Sequence, residues 1–294
     1  MLIVSKLVIK SYAKVNLFLK VLNKRPDNYH NLSTLFERIS LCDKITLTSR
    51  RDNLIKISCN NPKVPLDETN LCFKAAKLLR DKFGIGKGLN IKIAKRIPVG
   101  AGLGGGSSNA ASVLVALNRL WKLNLGKEKL AELGGQIGSD VAFFVYDAPF
   151  AEGSGRGEKI RVLSKLDKVR LWHILVVPKV RVSTPLVYKK LDDFCELTKT
   201  GSDVKILTSA LVKKNIFKNS GLLFNSLEQV TLTLYPEVKR VKESLARQGL
   251  SNILMSGSGS AVFAAVSSGK KAAVLLKRIR KENKAWLTWV VKTV

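Results

Sequence analysis

The sequence predicts a two-domain α+β protein, and three observations predict it. The chain has 294 residues, more than one small core organises. Strand-like and helix-like segments are mixed along it without the regular alternation of a parallel α/β fold. A glycine-rich stretch at 151–158, Ala-Glu-Gly-Ser-Gly-Arg-Gly-Glu, interrupts the periodic segments near the middle and reads as a connection. The expected domains are therefore 1–157 and 158–294.

From the N-terminus, residues 2–10 and 13–21 alternate apolar and polar, the period of half-buried strands. Residues 24–31 hold Pro26, Asp27 and Asn28 and read as a turn. Strand patterns return near 41–49 and 54–59. Residues 70–83 set Leu71, Ala75, Leu78 and Leu79 on one helical face, and Gly84 supplies a stop. A strand at 89–94 leads into a run of glycines, followed by a helix over about 107–121 and another near 127–137. Gly138-Ser139-Asp140 precedes an apolar run, Val141 to Tyr146. Beyond the connection, 171–178 reads as a buried strand, with helices near 183–192, 203–214 and 236–248. Strands at 253–255 and 261–266 flank a second glycine turn. A helix near 269–282 and a strand at 286–291 close the chain.

Composition excludes several classes. With 46% hydrophobic and 25% charged residues the chain is neither disordered nor fibrous. No apolar run approaches the roughly 18–20 residues of a membrane span. Lys6 and Lys10 break the N-terminus, which lacks the shape of a signal peptide. Cys42, Cys59, Cys72 and Cys195 form no C-x-x-C pair and have only His30 and His173 to assist them. Neither a zinc site nor a disulfide framework is expected, and a reducing cytoplasm is the expected compartment. Fifty-one Lys and Arg against 22 acids give +29, which fits either a phosphate-rich partner or a solvated basic surface. The basic residues are scattered, and no aromatic-plus-basic repeat offers a base-stacking platform, so no nucleic-acid partner is expected.

The strongest local signal is Pro98-Val-Gly-Ala-Gly-Leu-Gly-Gly-Gly-Ser-Ser-Asn-Ala-Ala111, between a predicted strand and a predicted helix. Glycine reaches backbone angles closed to other residues and lets main-chain N–H groups approach a ligand. Ser107, Ser108 and Asn109 are good N-capping types, and the amides of a helix start carry partial positive charge. Pro98, Val99, Gly100, Ala101, Gly102, Leu103, Gly104, Gly105, Gly106, Ser107 and Ser108 thus form a candidate cradle for a triphosphate. It is not the Walker pattern, because no G-K-[S/T] closes it.

This run resembles the phosphate-binding motif P-x-x-x-G-L-G-G/S-S/G-S-S-x-A of the GHMP kinases. The resemblance extends over nearly the whole chain: Ala13 to Leu19, Arg25-Pro26-Asp27-Asn28-Tyr29-His30, Thr34-Leu35-Phe36, Gly138-Ser139-Asp140-Val141, Ala151 to Glu158, Ser183-Thr184-Pro185 with Tyr188, and Ser256 to Ser260. The N-terminal block is similar to one branch, whose members phosphorylate the 2-hydroxyl of 4-diphosphocytidyl-2-C-methyl-D-erythritol in the non-mevalonate isoprenoid pathway. The resemblance implies a two-domain fold with the site in the cleft between the domains. It also implies ATP and Mg2+ as cofactors, a small-molecule substrate, and a monomer or weak homodimer.

It further implies that Lys14 and Asp140 are catalytic, Asp140 as base and Lys14 as its partner. Without it, Asp140 reads as a helix cap and Lys14 as an outward lysine on an edge strand. Period two puts Lys14, Asn16, Phe18 and Lys20 on one face, which makes Asn16 a companion in the site. By resemblance, Tyr29, His30, Thr184 and Tyr188 bind the substrate's cytidine end. No acidic residue is identifiable as a magnesium ligand, so the nucleotide is expected to hold the ion, with a Ser107 or Ser108 hydroxyl. Three positions depart from the pattern: Asn28 for Gly, Ala142 for Pro and Ser226 for Asp. Asn tolerates positive φ, which preserves the turn.

Overall fold

The structure, a computed structural model, describes residues 6–193, 202–217 and 221–294. Cys195 and the first residues of the expected 2–10 strand lie outside them. The alternating N-terminal segments form one long strand, β1 (Lys6–Lys24), which turns back into β2 (His30–Arg50). Arg25 N donates to Tyr29 O at 2.7 Å across this turn, and Asn28 sits at φ 62, the left-handed conformation that its identity allows. β3 (Ile55–Cys59), α1 (Leu71–Lys82) and β4 (Gly88–Ala94) follow. Asn70 caps α1, accepting from Cys72 N at 2.8 Å. Next come α2 (Gly105–Leu120), α3 (Lys127–Ile137) and α4 (Val141–Tyr146).

The expected connection is instead a β-hairpin, β5 (Phe150–Ser154) and β6 (Lys159–Val162), with β5 also paired to β2. Its glycines serve close packing there: a Cβ on Gly153 would stand 2.6 Å from the Phe36 ring. The expected division at 157/158 falls in the turn of this hairpin. The chain then enters a second sheet at β7 (Trp172–Val177) and continues through α5 (Thr184–Asp193), α6 (Val204–Val212), β8 (Phe224–Asn225), α7 (Glu228–Leu234) and α8 (Pro236–Arg247). β9 (Ile253–Met255), β10 (Val262–Val266), α9 (Gly269–Glu282) and β11 (Leu287–Lys292) close it. The helix α7 and the two-residue β8 escape the sequence pattern. Glu-Gln-Val-Thr-Leu-Thr-Leu is rich in β-branched residues, which disfavour a helix, and two residues are too few to carry a period.

Among the described residues the first sheet has seven strands, ordered β3-β4-β2-β1-β8 with β5 and β6 attached to β2. The second runs β11-β7-β10-β9. Alternation explains the layering. Ile45, Leu47, Ile91 and Ile93 face α1 to α4 on the outer side of the first sheet. Ala13, Val15, Leu17, Leu35 and Ile39 pack against Leu175, Val177 and Phe263 of the second sheet. The intervening residues of β7, Ile174 and Val176, face the Val238, Val241 and Leu276 side chains of α8 and α9. Helices, sheet, sheet and helices thus stack around cores on both sides of each sheet, each large buried side chain contributing about 1.5–3 kcal/mol. The first sheet's long hairpin and the second sheet's β9–β10 turn meet at one edge. That edge holds the site.

Candidate active site

The glycine run leaves β4 and wraps over β1. Gly100, Gly102 and Gly104 take φ of 69, 75 and 66, conformations that strain other residues. Two of them also need the missing side chain. A Cβ on Gly102 would stand 2.1 Å from Ser256 O, and one on Gly104 would stand 3.0 Å from both Lys14 Cγ and the Phe144 ring. The loop is pinned on both sides: Lys14 N donates to Leu103 O at 3.1 Å, Ala261 N to Ala101 O at 3.1 Å, and Ser256 Oγ to Gly102 O at 3.0 Å. Gly104 occupies the cap position of α2, and no side chain caps that end. The first amides of α2 are therefore oriented for an anion.

Ser107 lines the cleft beside this loop. Ser108 does not. Its buried hydroxyl shares a 2.7 Å hydrogen bond with Ser11 Oγ inside the domain, so of the two expected hydroxyls Ser107 is the one at the cleft. Beneath the loop lies a buried polar hub that the sequence did not single out. Asp43 accepts from Ile97 N at 2.8 Å, Arg96 N at 2.6 Å and Asn109 Nδ2 at 2.9 Å, and pairs with Lys95 Nζ. It ties β2, the start of the loop and α2 together.

Two cavities meet on the glycine loop. The smaller, about 330 Å3, lies between the loop and the start of α1, against Val64, Pro65, Asn70 and Lys95. The larger, about 680 Å3, runs from the loop outward between the two halves of the chain. Gly100, Gly102, Gly104 and Ser107 line both.

Lys14 is central in this larger cleft and almost buried, at 4% exposure, rather than outward on an edge strand. Its Nζ donates to Asn16 Oδ1 at 2.6 Å and stands 3.3 Å from Asp140 Oδ2. Asp140 does occupy the cap position of α4, but its side chain caps nothing there and reaches Lys14 instead. Asn16 Nδ2 donates to Thr34 Oγ1 at 2.8 Å, which fixes the amide. Period two fails one step further on. The register shifts between Asn16 and Phe18, so Phe18 turns into the core and Leu19 takes the cleft-facing place.

At the outer end stand Tyr29, His30, Thr184 and Tyr188. Tyr29 is 54% exposed, with the Arg156 guanidinium 5.0 Å over its ring. Tyr188 stacks on His30, centroids 5.3 Å apart and planes at 28°. Burial pushes the Tyr188 hydroxyl's pKa up, and the Asp140 charge adds to it. Thr184 Oγ1 bonds Ser258 Oγ at 2.7 Å, joining α5 to the second glycine turn. Sequence reasoning missed Asp192, which receives both His30 Nε2 at 2.6 Å and Lys24 Nζ at 2.7 Å. Partial burial pushes its carboxyl up, and these two bonds outweigh that and hold it below the usual carboxylate range. The spacing Thr184, Tyr188, Asp192 on one helical face was the available signal. Ser226, the departure from Asp, still has a polar role, accepting from Val21 N at 3.1 Å. Among the described residues no group of three or more His, Cys, Asp or Glu is placed to hold a metal ion. No helix among them is long and apolar enough to cross a membrane.

The fold and the loop define a class, and comparison with known proteins agrees with it. Residues 70–148 match the GHMP kinases N terminal domain and residues 207–285 the GHMP kinases C terminal domain. A Methanococcus jannaschii mevalonate kinase superposes with a TM-score of 0.71 over 99% of both chains, at 17% identity, a likeness of fold. At closer range, the chain is 45% identical over 272 residues to a 4-diphosphocytidyl-2-C-methyl-D-erythritol kinase of Bacillus velezensis, covering 92% of each. A crystal structure of 4-(cytidine 5'-diphospho)-2C-methyl-D-erythritol kinase superposes with a TM-score of 0.79 at 33% identity, over 97% of this chain and 98% of the other. The chain belongs to the GHMP kinases and, within them, to the 4-diphosphocytidyl-2-C-methyl-D-erythritol kinase family. It is an ATP-dependent small-molecule kinase.

Proposed function

We propose that the chain transfers the γ-phosphoryl group of ATP to the 2-hydroxyl of 4-diphosphocytidyl-2-C-methyl-D-erythritol, a step of non-mevalonate isoprenoid synthesis. The observation that carries this reading is the meeting of two cavities on one glycine wall, with Lys14 and Asp140 on the acceptor side. The smaller cavity takes the nucleoside of ATP and the loop amides take its phosphates. The larger takes the acceptor, with its cytidine among Tyr29, His30, Thr184 and Tyr188, whose rings suit the π-face of a base.

An alcohol is a poor nucleophile at neutral pH, so a carboxylate must accept its proton as the O–P bond forms. Asp140 does so, the bond between Pγ and the bridging oxygen breaks, and ADP leaves. Lys14 orients Asp140 through the 3.3 Å ion pair, while Asn16 holds the Lys14 ammonium in place. The carboxylate set is sparse, so a magnesium ion would arrive on the nucleotide, and the cleft-lining Ser107 hydroxyl would help to hold it. Such an ion neutralises phosphate charge. The protein works as a cytoplasmic monomer or weak homodimer without a nucleic-acid partner.

The test is a coupled ATP-turnover assay on the cytidylyl substrate, homoserine and mevalonate, with the product's phosphate position read by NMR. Turnover confined to the cytidylyl substrate, phosphorylated at the 2-hydroxyl, is expected. Turnover on mevalonate or homoserine instead would discard the substrate and keep the kinase.

A further inference from the structure

We propose that Asp192 sets the base specificity of the cleft, by holding His30 as its Nε2–H tautomer so that Nδ1 presents a lone pair to the exocyclic amine of cytosine. The inference rests on the reading that the outer cleft receives a cytidine. Asp192 is a positioning residue: it acts on the base through His30.

A neutral histidine carries one N–H and one lone pair, and the partner of one nitrogen decides the role of the other. His30 is buried, and its Nε2 lies 2.6 Å from Asp192 Oδ1. An ionised carboxylate only accepts, so Nε2 carries the proton of a neutral ring and leaves Nδ1 bare. The Asp192 carboxyl is held below its usual range by the bonds from Lys24 and His30, which outweigh partial burial, and so it stays ionised. Its second oxygen is engaged by Lys24 Nζ at 2.7 Å, which prevents rotation of the carboxylate.

The ring plane is fixed as well. Tyr188 stacks on one face of the imidazole, at 5.3 Å and 28°, so the edges of the ring are left for in-plane contacts. One edge goes to Asp192. Nδ1, on the other, takes no hydrogen bond from the described residues, and His30 lines the cleft. Tyr188 and Asp192 are four residues apart on α5, so one helical face supplies both the stack and the tautomer lock. A lone pair in that place matches the 4-amino group of cytosine and opposes the 4-oxo group of uracil. Hydrogen-bond matching of this kind discriminates far better than apolar fit.

The chain has only two histidines, His30 and His173, so the tautomer is directly readable. Long-range 1H–15N NMR of the ligand-free protein, assigned with His30→Gln, is expected to show His30 protonated at Nε2 and bare at Nδ1. In Asp192→Ala the two nitrogen shifts should converge towards exchange averages. The preference for the cytidylyl substrate over its uridylyl analogue should fall about 10-fold or more, with the loss in KM more than kcat. Asp192→Asn, whose amide can donate to Nε2, should move protonation towards Nδ1, and its circular dichroism controls for folding. A wild-type His30 protonated at Nδ1 would overturn the proposal. So would Asp192→Ala and Asp192→Asn with unchanged nitrogen shifts and an unchanged cytidylyl-to-uridylyl ratio. If the tautomer is as stated but cytidine diphosphate leaves the His30 resonances unmoved, the cytidine reading falls, and with it the specificity role.

Discussion

At the scale of single residues, the site depends on how closely Gly104 lets the loop approach Lys14. Its left-handed φ and the 3.0 Å that a Cβ would leave to Lys14 Cγ act in the same direction. Gly104→Ala should therefore lower turnover strongly and cost about 1–3 kcal/mol of stability, measured by ATP assay and urea denaturation. Wild-type values in both would mean that the loop rebuilds without strain. The glycine spacing was legible in the sequence because special backbone angles restrict residue type. The bulge after Asn16 was not, since one extra residue reverses every later side chain without altering composition. Hence Lys14 and Asn16 stand where alternation puts them and Phe18 does not.

At the scale of elements, the loop rests on the Asp43 hub, which joins β2 to the start of α2. Breaking a buried ion pair by removing one partner leaves the other charge unpaired. Asp43→Ala should lower stability by about 3–5 kcal/mol, seen as a shift in the urea midpoint. A shift under about 1 kcal/mol would show that Lys95 finds another partner. Most elements follow from local period: α1, α3 and α9 fall within a residue or two of the pattern. Those that escaped depend on distant neighbours. The β5–β6 hairpin reads as a glycine connection, yet Gly153 answers the Phe36 ring, 117 residues before it in the chain. β8 exists only through its pairing with β1.

At the scale of the whole molecule, stability and reactivity report on the same packed layers. Cys72 lies in the helix layer, where burial pushes its thiol up to about 12. It should resist Ellman's reagent at pH 8 until the chain unfolds, while the half-exposed Cys42 and Cys59 react first. The folded state keeps this thiol protonated where the unfolded chain begins to lose the proton, at about 8.5. Its contribution to stability is thus complete below that pH and is lost as pH rises towards 12. Reaction of Cys72 at the rate of a free thiol would contradict the packing. Lys14, Lys24 and Arg156 are basic residues of the +29 charge that line the cleft.

In the proposed reaction Asp140, paired with Lys14, takes the acceptor's proton as the phosphoryl group moves. The most direct measurement is the single-turnover rate of phosphoryl transfer in Asp140→Asn, with ATP and acceptor affinities measured separately by calorimetry. Both affinities should stay within a few-fold of wild type while the transfer rate falls by about 10²–10⁴. A transfer rate equal to wild type would contradict it and move the base elsewhere in the cleft.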